Sequence, residues 1–294
     1  MMSKSFLQLL IGLVLIFGAF WAKKKPLPDP IPNPTPQPQP EPEPRPQPTP
    51  KPLEYTFKTL DWPKVWNKVS EDTFYADIIN HSKNPVLNYN RSTNAHESTH
   101  MINSDIRNSI PQISDSFTNM INAFYIGNGK YVKCTEPPIL KEDVIQYVPP
   151  ELRFNRYKLY IIGQREWNDR PLYILDEFVS YINGGKVSVE NVILNKNDTG
   201  WTDGVSGCLE FSIYTISLCM AINDKSNYWK ENDEFRSFIS YLLDSACETY
   251  NKGKDMQEFK WDKQDKLLES FKDENNKKMK DFMAEYSVGL NWLK

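Results

Sequence analysis

Between positions 26 and 52, every even position is proline, from Pro26 to Pro52. A proline fixes φ and has no backbone N–H to give, so a strict alternation excludes both helix and sheet over this stretch. The residues between the prolines are mostly polar: Asp29, Asn33, Gln37, Glu41, Arg45 and Lys51 among them. The expectation is an extended polyproline II rod, roughly 80 Å long at about 3.1 Å per residue. A ligand for an aromatic-lined groove is the competing reading. The regular alternation without a flanking motif favours a spacer. The rod divides the chain into an N-terminal segment of residues 1–25, a linker of residues 26–52, and a folded part of residues 53–294.

The first segment carries an apolar run from Phe6 to Trp21, preceded by Lys4 and followed by Lys23, Lys24 and Lys25. Its length sits at the short end of what crosses a bilayer as a helix. Signal-peptide cleavage wants small residues in an A-x-A-like pattern. Phe20 with Ala22 fits that poorly, so an uncleaved single-pass anchor is expected, with the domain extracytoplasmic. Secretion after cleavage is the alternative.

Composition then narrows the function of the folded part. The chain has 35 Lys+Arg against 38 Asp+Glu, a formal net charge of -3, which argues against a basic nucleic-acid binder. Mean hydropathy of -0.59 excludes a polytopic membrane protein. Four cysteines without C-x-x-C spacing make neither a disulfide scaffold nor a cysteine zinc site. Outside the membrane, one or two disulfides can form. Cys208 and Cys219 lie in an apolar stretch and read as small core residues. Asn90-Arg-Ser and Asn197-Asp-Thr match a glycosylation pattern that is close to noise in an Asn-rich chain.

Helical patterns run from Thr93 to about Asn108, from Asp169-Pro171 to a stop at Gly184-Gly185, over Val205 to Ile222, from about Glu231 to Tyr250, and from Asp262 to Tyr286. Tyr157 to Ile162 alternates and reads as a strand ending at Gly163. The fold class is therefore α+β and helix-rich.

Chemistry concentrates at His96, Glu97, Ser98, Thr99 and His100, an H-E-x-x-H match in a chain with only three histidines. On a helix, positions i and i+4 share a face, so two imidazoles there converge on one cation, with tetrahedral zinc the usual guest. Glu97 stands where its carboxylate reaches a metal-activated water as general base. Ser92 or Thr93 is placed to cap this helix. The plain alternative is a surface helix with two self-satisfied histidines.

The motif resembles that of zincin-type, gluzincin-like metallopeptidases, whose third zinc ligand is a Glu on a later helix. The metzincin extension is absent, because Met101-Ile102-Asn103-Ser104-Asp105 follows His100. The resemblance implies a zincin-like catalytic domain with Zn2+ and hydrolysis of peptide bonds in a protein or peptide. By that resemblance Glu177 is the third ligand, with Asp176 a partner for a ligand histidine. Glu210, in the apolar helix, is the rival. A lone buried carboxylate is costly, so Glu210 needs a metal, a histidine or a basic side chain. An oxyanion stabiliser is expected at Tyr181 or Tyr173, each four residues from Glu177. Tyr157 and Tyr160 are further candidates, and their strand could pair with an extended substrate. Two other functions remain open at this level: an anchored, non-catalytic binding module with an accidental motif, and a zinc amidase acting on cell-wall peptides.

Overall fold

The computed structural model describes residues 57–60, 69–110, 120–196 and 203–294. The apolar run, the proline rod and Asn197 lie outside the described residues. The described part is helix-rich α+β. A two-residue strand β1 (Lys58–Thr59) and helix α1 (Phe74–His81) precede α2 (Arg91–Ser109), the helix of the histidine motif. A hairpin follows, β2 (Ile121–Gly127) and β3 (Lys130–Thr135). The sheet is antiparallel with order β1-β3-β2. The turn passes through Asn128 and Gly129, both at positive φ, as tight hairpin turns require.

Helices α3 (Tyr173–Ile193), α4 (Gly204–Lys225), α5 (Tyr228–Glu231), α6 (Asp233–Gly253), α7 (Gln264–Lys272) and α8 (Lys277–Tyr286) form the rest. Their apolar faces make the larger core, which includes Phe178, Phe211, Trp229, Phe238 and Phe271. A smaller core of Ile78, Ile79, Ile102, Ile106 and Tyr125 joins α1, α2 and β2.

Several sequence-based expectations change here. Asn90, not Ser92 or Thr93, caps α2: its side chain accepts from Thr93 N at 2.8 Å. Ser92 instead bonds Gly184 O at 3.0 Å and Ser188 Oγ at 2.5 Å on α3. Asp169 and Pro171 lie before α3, which starts at Tyr173 after Leu172. Gly184 and Gly185 do not stop α3. They lie inside it, where α2 and α4 pack closely against α3. A Cβ on Gly184 would sit 3.2 Å from His96 Cβ, and one on Gly185 would sit 3.1 Å from Gly204 O. The pattern from Asp262 to Tyr286 is two helices. Asp273 is extended and its carboxylate takes the N–H of Asn275, opening a short 3-10 turn between α7 and α8.

Tyr157 to Ile162 is a π-helical turn, not a strand. The Lys141 ammonium donates to the carbonyls of Tyr160, Ile161 and Gly163 at 2.8, 3.0 and 2.7 Å. Those acceptors are the ones a helix end leaves open. Leu159 and Ile162 face solvent, so the alternation does not mark a buried face.

All four cysteines are buried and free. Among the described residues one helix, α4, is long and apolar enough to cross a membrane, but 94% of its apolar window is buried inside the fold.

Candidate metal centre

Two antiparallel-packed layers of backbone hold the site: α2 supplies the histidines and α3 the carboxylates. On α2, His96 and His100 lie one turn apart and their rings stand 4.9 Å apart, edge to face. The two Nε2 atoms are 3.2 Å from each other. On α3, Glu177 is buried, and its Oε2 lies 3.7 Å from His96 Nε2 and 3.6 Å from His100 Nε2. Among the described residues this Oε2 has no hydrogen-bond partner. Buried polar atoms are rarely left so. The three side chains form a group that could hold a metal ion.

Each member of the group is fixed from behind. Asp176 Oδ2 lies 2.7 Å from His100 Nδ1, and Asn103 Nδ2 donates to Asp176 Oδ1 at 2.7 Å. The next helical position therefore serves the histidine while Glu177 faces the gap, consistent with a turn of about 100° per residue. Tyr173 donates its hydroxyl to Glu177 Oε1. His96 bonds the backbone of Ser180 and its ring stands 4.7 Å from that of Tyr181.

Electrostatics separate the two imidazoles. Burial, followed by the charge of His100, holds His96 well below the usual histidine range. Burial also opposes charge on His100, but the Asp176 carboxylate and then Glu177 outweigh it and hold His100 well above that range. Asp176 is held low by His100 and Asn103 despite its burial.

Glu97 is half-buried on α2, and among the described residues its carboxylate makes no hydrogen bond or ion pair. The two tyrosines differ. Tyr173 spends its hydroxyl on Glu177. Tyr181 is buried, with its hydroxyl 3.3 Å from both Tyr160 OH and Asp203 Oδ2. Tyr160 feels the charge of Glu177, which together with burial pushes its hydroxyl up to about 12. Tyr157 is buried in the larger core, its hydroxyl without a hydrogen-bond partner among the described residues. Its segment is helical, so the substrate-pairing strand expected there does not exist.

The rival carboxylate has a different fate. Glu210 is fully buried on α4, and Arg156 NH1 donates to its Oε1. Its Oε2 accepts from Arg156 N at 3.1 Å and Tyr214 OH at 3.0 Å. The basic side chain that a buried acid demands is Arg156, and Glu210 is not among the converging ligand atoms. Arg156 also reaches Asp203 Oδ2 at 2.6 Å and lies 5.0 Å from the Tyr181 ring centre.

Sequence reading missed Arg156 and Asn103 as supports. Asn103 had a visible signal, because it shares the polar stripe of His96 and His100. Its Oδ1 accepts from Tyr125 N at 2.6 Å, and Asn183 Nδ2 donates to Tyr125 O at 3.0 Å. These two amides close the outer edge of β2 at Tyr125.

No protein-family model, curated protein sequence or solved structure matches the chain.

Proposed function

We propose that the chain is a zinc-dependent metallopeptidase, with a zincin-like domain held off a membrane by the proline rod, acting on a protein or peptide. The observation that carries this reading is the triangle of His96 Nε2, His100 Nε2 and Glu177 Oε2, with sides of 3.2, 3.6 and 3.7 Å. Tetrahedral zinc with ligands at about 2.0–2.1 Å sets its ligand atoms about 3.3–3.4 Å apart. Two imidazoles and a carboxylate also match the donor set of catalytic zinc, which keeps a fourth position open. The unpartnered Glu177 oxygen fits the same reading.

A bound zinc ion would supply Lewis acidity, polarising a carbonyl and lowering the pKa of water. The chain's own residues do the rest. Asp176 orients His100 and holds its Nδ1, as carboxylates behind metal-bound histidines do. Tyr173 fixes Glu177 so that one oxygen stays directed at the imidazoles. Glu97, free of other partners among the described residues, accepts the proton of the attacking water and returns it to the leaving amine. The rings of Tyr181 and His96 limit water on that side. Tyr160 is the better placed hydroxyl to meet developing negative charge, since Tyr173 is already committed.

The test is zinc content of the full-length chain by elemental mass spectrometry, with peptide hydrolysis measured beside it. One zinc per chain, lost on Glu177→Ala and kept on Glu97→Gln, together with peptide cleavage that Glu97→Gln abolishes, is the expected result. A folded chain that takes up no zinc when supplied with it overturns the reading. Zinc without cleavage of protein or peptide substrates would leave the metal centre and remove the peptidase.

A further inference from the structure

A cleft of about 670 Å³ opens along α6, bounded by α7 and the C-terminal turn Leu290–Leu293, and shares no residue with the metal centre. Its one contribution from α3 is Lys186, nine positions beyond Glu177, or roughly 14 Å along the helix. Lys186, Lys254 and Lys272 all line it. Among the described residues, none of these three ammonium groups makes a hydrogen bond or a salt bridge. Two acids line the cleft beside them, and Glu248 also attracts Lys186. Glu248 pairs with Lys252 at 2.7 Å, and Asp244 accepts from Asn291 at 2.7 Å. Cys247, also on the cleft wall, feels the charges of both Lys272 and Lys254. Lys186 is the most withdrawn from water: its ammonium faces the Phe74 ring at 5.3 Å, and burial pulls its pKa down.

Unpaired positive charge withdrawn from water is unfavourable unless an anion meets it. The cleft has the size of a small-molecule site, and the buried faces of Tyr250 and Trp292 give it an apolar floor. Compact ammonium groups suit phosphate as point charges. We propose that this cleft binds a small phosphate-bearing anion through Lys186, Lys254 and Lys272, independently of the metal centre.

The test is calorimetric titration of the full-length chain with inorganic pyrophosphate. Saturable binding that weakens with added sodium chloride, and weakens at least tenfold in the Lys254→Gln/Lys272→Gln chain, is the expected outcome. A His96→Ala chain should bind pyrophosphate as the native chain does. Loss of binding in that chain would place the anion at the metal centre and overturn the proposal. So would an absence of saturable binding, or affinity unchanged in the double variant. Should the double variant not fold, acetic anhydride labelling of the native chain decides. Pyrophosphate should protect Lys186, Lys254 and Lys272, and labelling unchanged by pyrophosphate would overturn the site.

Discussion

Glu177 and Glu210 are both buried acids on long helices, and the protein treats them in opposite ways. Glu210 has every oxygen answered from within: Arg156 takes one, and Arg156 N and Tyr214 share the other. Glu177 has one oxygen answered by Tyr173 and one left facing two imidazoles. The first arrangement is complete without a ligand and stabilises the join between α4 and the π-helical turn. The second leaves one oxygen open, in a group that could hold a metal ion. Burial and charge alone do not separate a structural acid from a chemical one. The count of satisfied oxygens separates these two.

The comparison can be broken first at its stable member. Removing one partner of a buried ion pair costs about 3–5 kcal/mol. Glu210→Ala should lose that much in urea unfolding, while Glu177→Ala in the metal-free chain should lose less, about the 1–3 kcal/mol of a buried hydroxyl left without its acceptor. Equal losses at both positions would erase the distinction. The next effect belongs to the metal. Zinc at a thousandfold excess over its Kd stabilises a chain by about 4 kcal/mol. Thermal unfolding should show this gain in the native chain and lack it in Glu177→Ala. If Glu177→Ala is stabilised equally, the open oxygen is not a ligand.

A smaller effect sharpens the support behind the site. Partners behind metal-bound histidines typically govern 10–100-fold in metal affinity. Asp176→Ala should therefore weaken zinc binding by about that factor in competition with a chelator, with stoichiometry preserved. Unchanged affinity would reduce Asp176 to a structural neighbour.

Glu136 offers a third way to bury an acid. It accepts from Asn122 and from Leu172 N, yet burial pushes its pKa up to about 8. The protonated form is favoured in the folded chain, so its contribution to stability is full below pH 4.5 and is lost as pH rises through 8. The slope cannot exceed about 1.4 kcal/mol per pH unit. Glu136→Gln should flatten the pH dependence of urea unfolding between pH 5 and 8. An unchanged profile would mean that Arg107 and Arg170 keep Glu136 ionised.

Much of the centre is written locally and so was legible. Positions i and i+4 on one helix put His96 beside His100 whatever the rest of the fold does. Asp176 and Glu177, as neighbours on a helix, had to point differently. What was not legible depends on residues distant in sequence. Nothing near Glu210 announces Arg156. The periodicity of Tyr157 to Ile162 cannot register the Lys141 ammonium that gathers its carbonyls. Gly184-Gly185 carries the usual signature of a helix end, and only the close approach of α2 and α4 explains why α3 runs through it. The hairpin was overlooked although Asn128-Gly129 signalled it.

The close seating of α2 on α3 at Gly184, bonded through Ser92 and Ser188, has a consequence for ion choice. The gap between the imidazoles and Glu177 is set by the separation of two helix axes rather than by a loop. Such a gap works as a fixed gauge. On the reading proposed above, it would suit a small ion content with four donors. Calcium seeks six to eight oxygens at 2.3–2.6 Å, more than one carboxylate and two imidazoles offer.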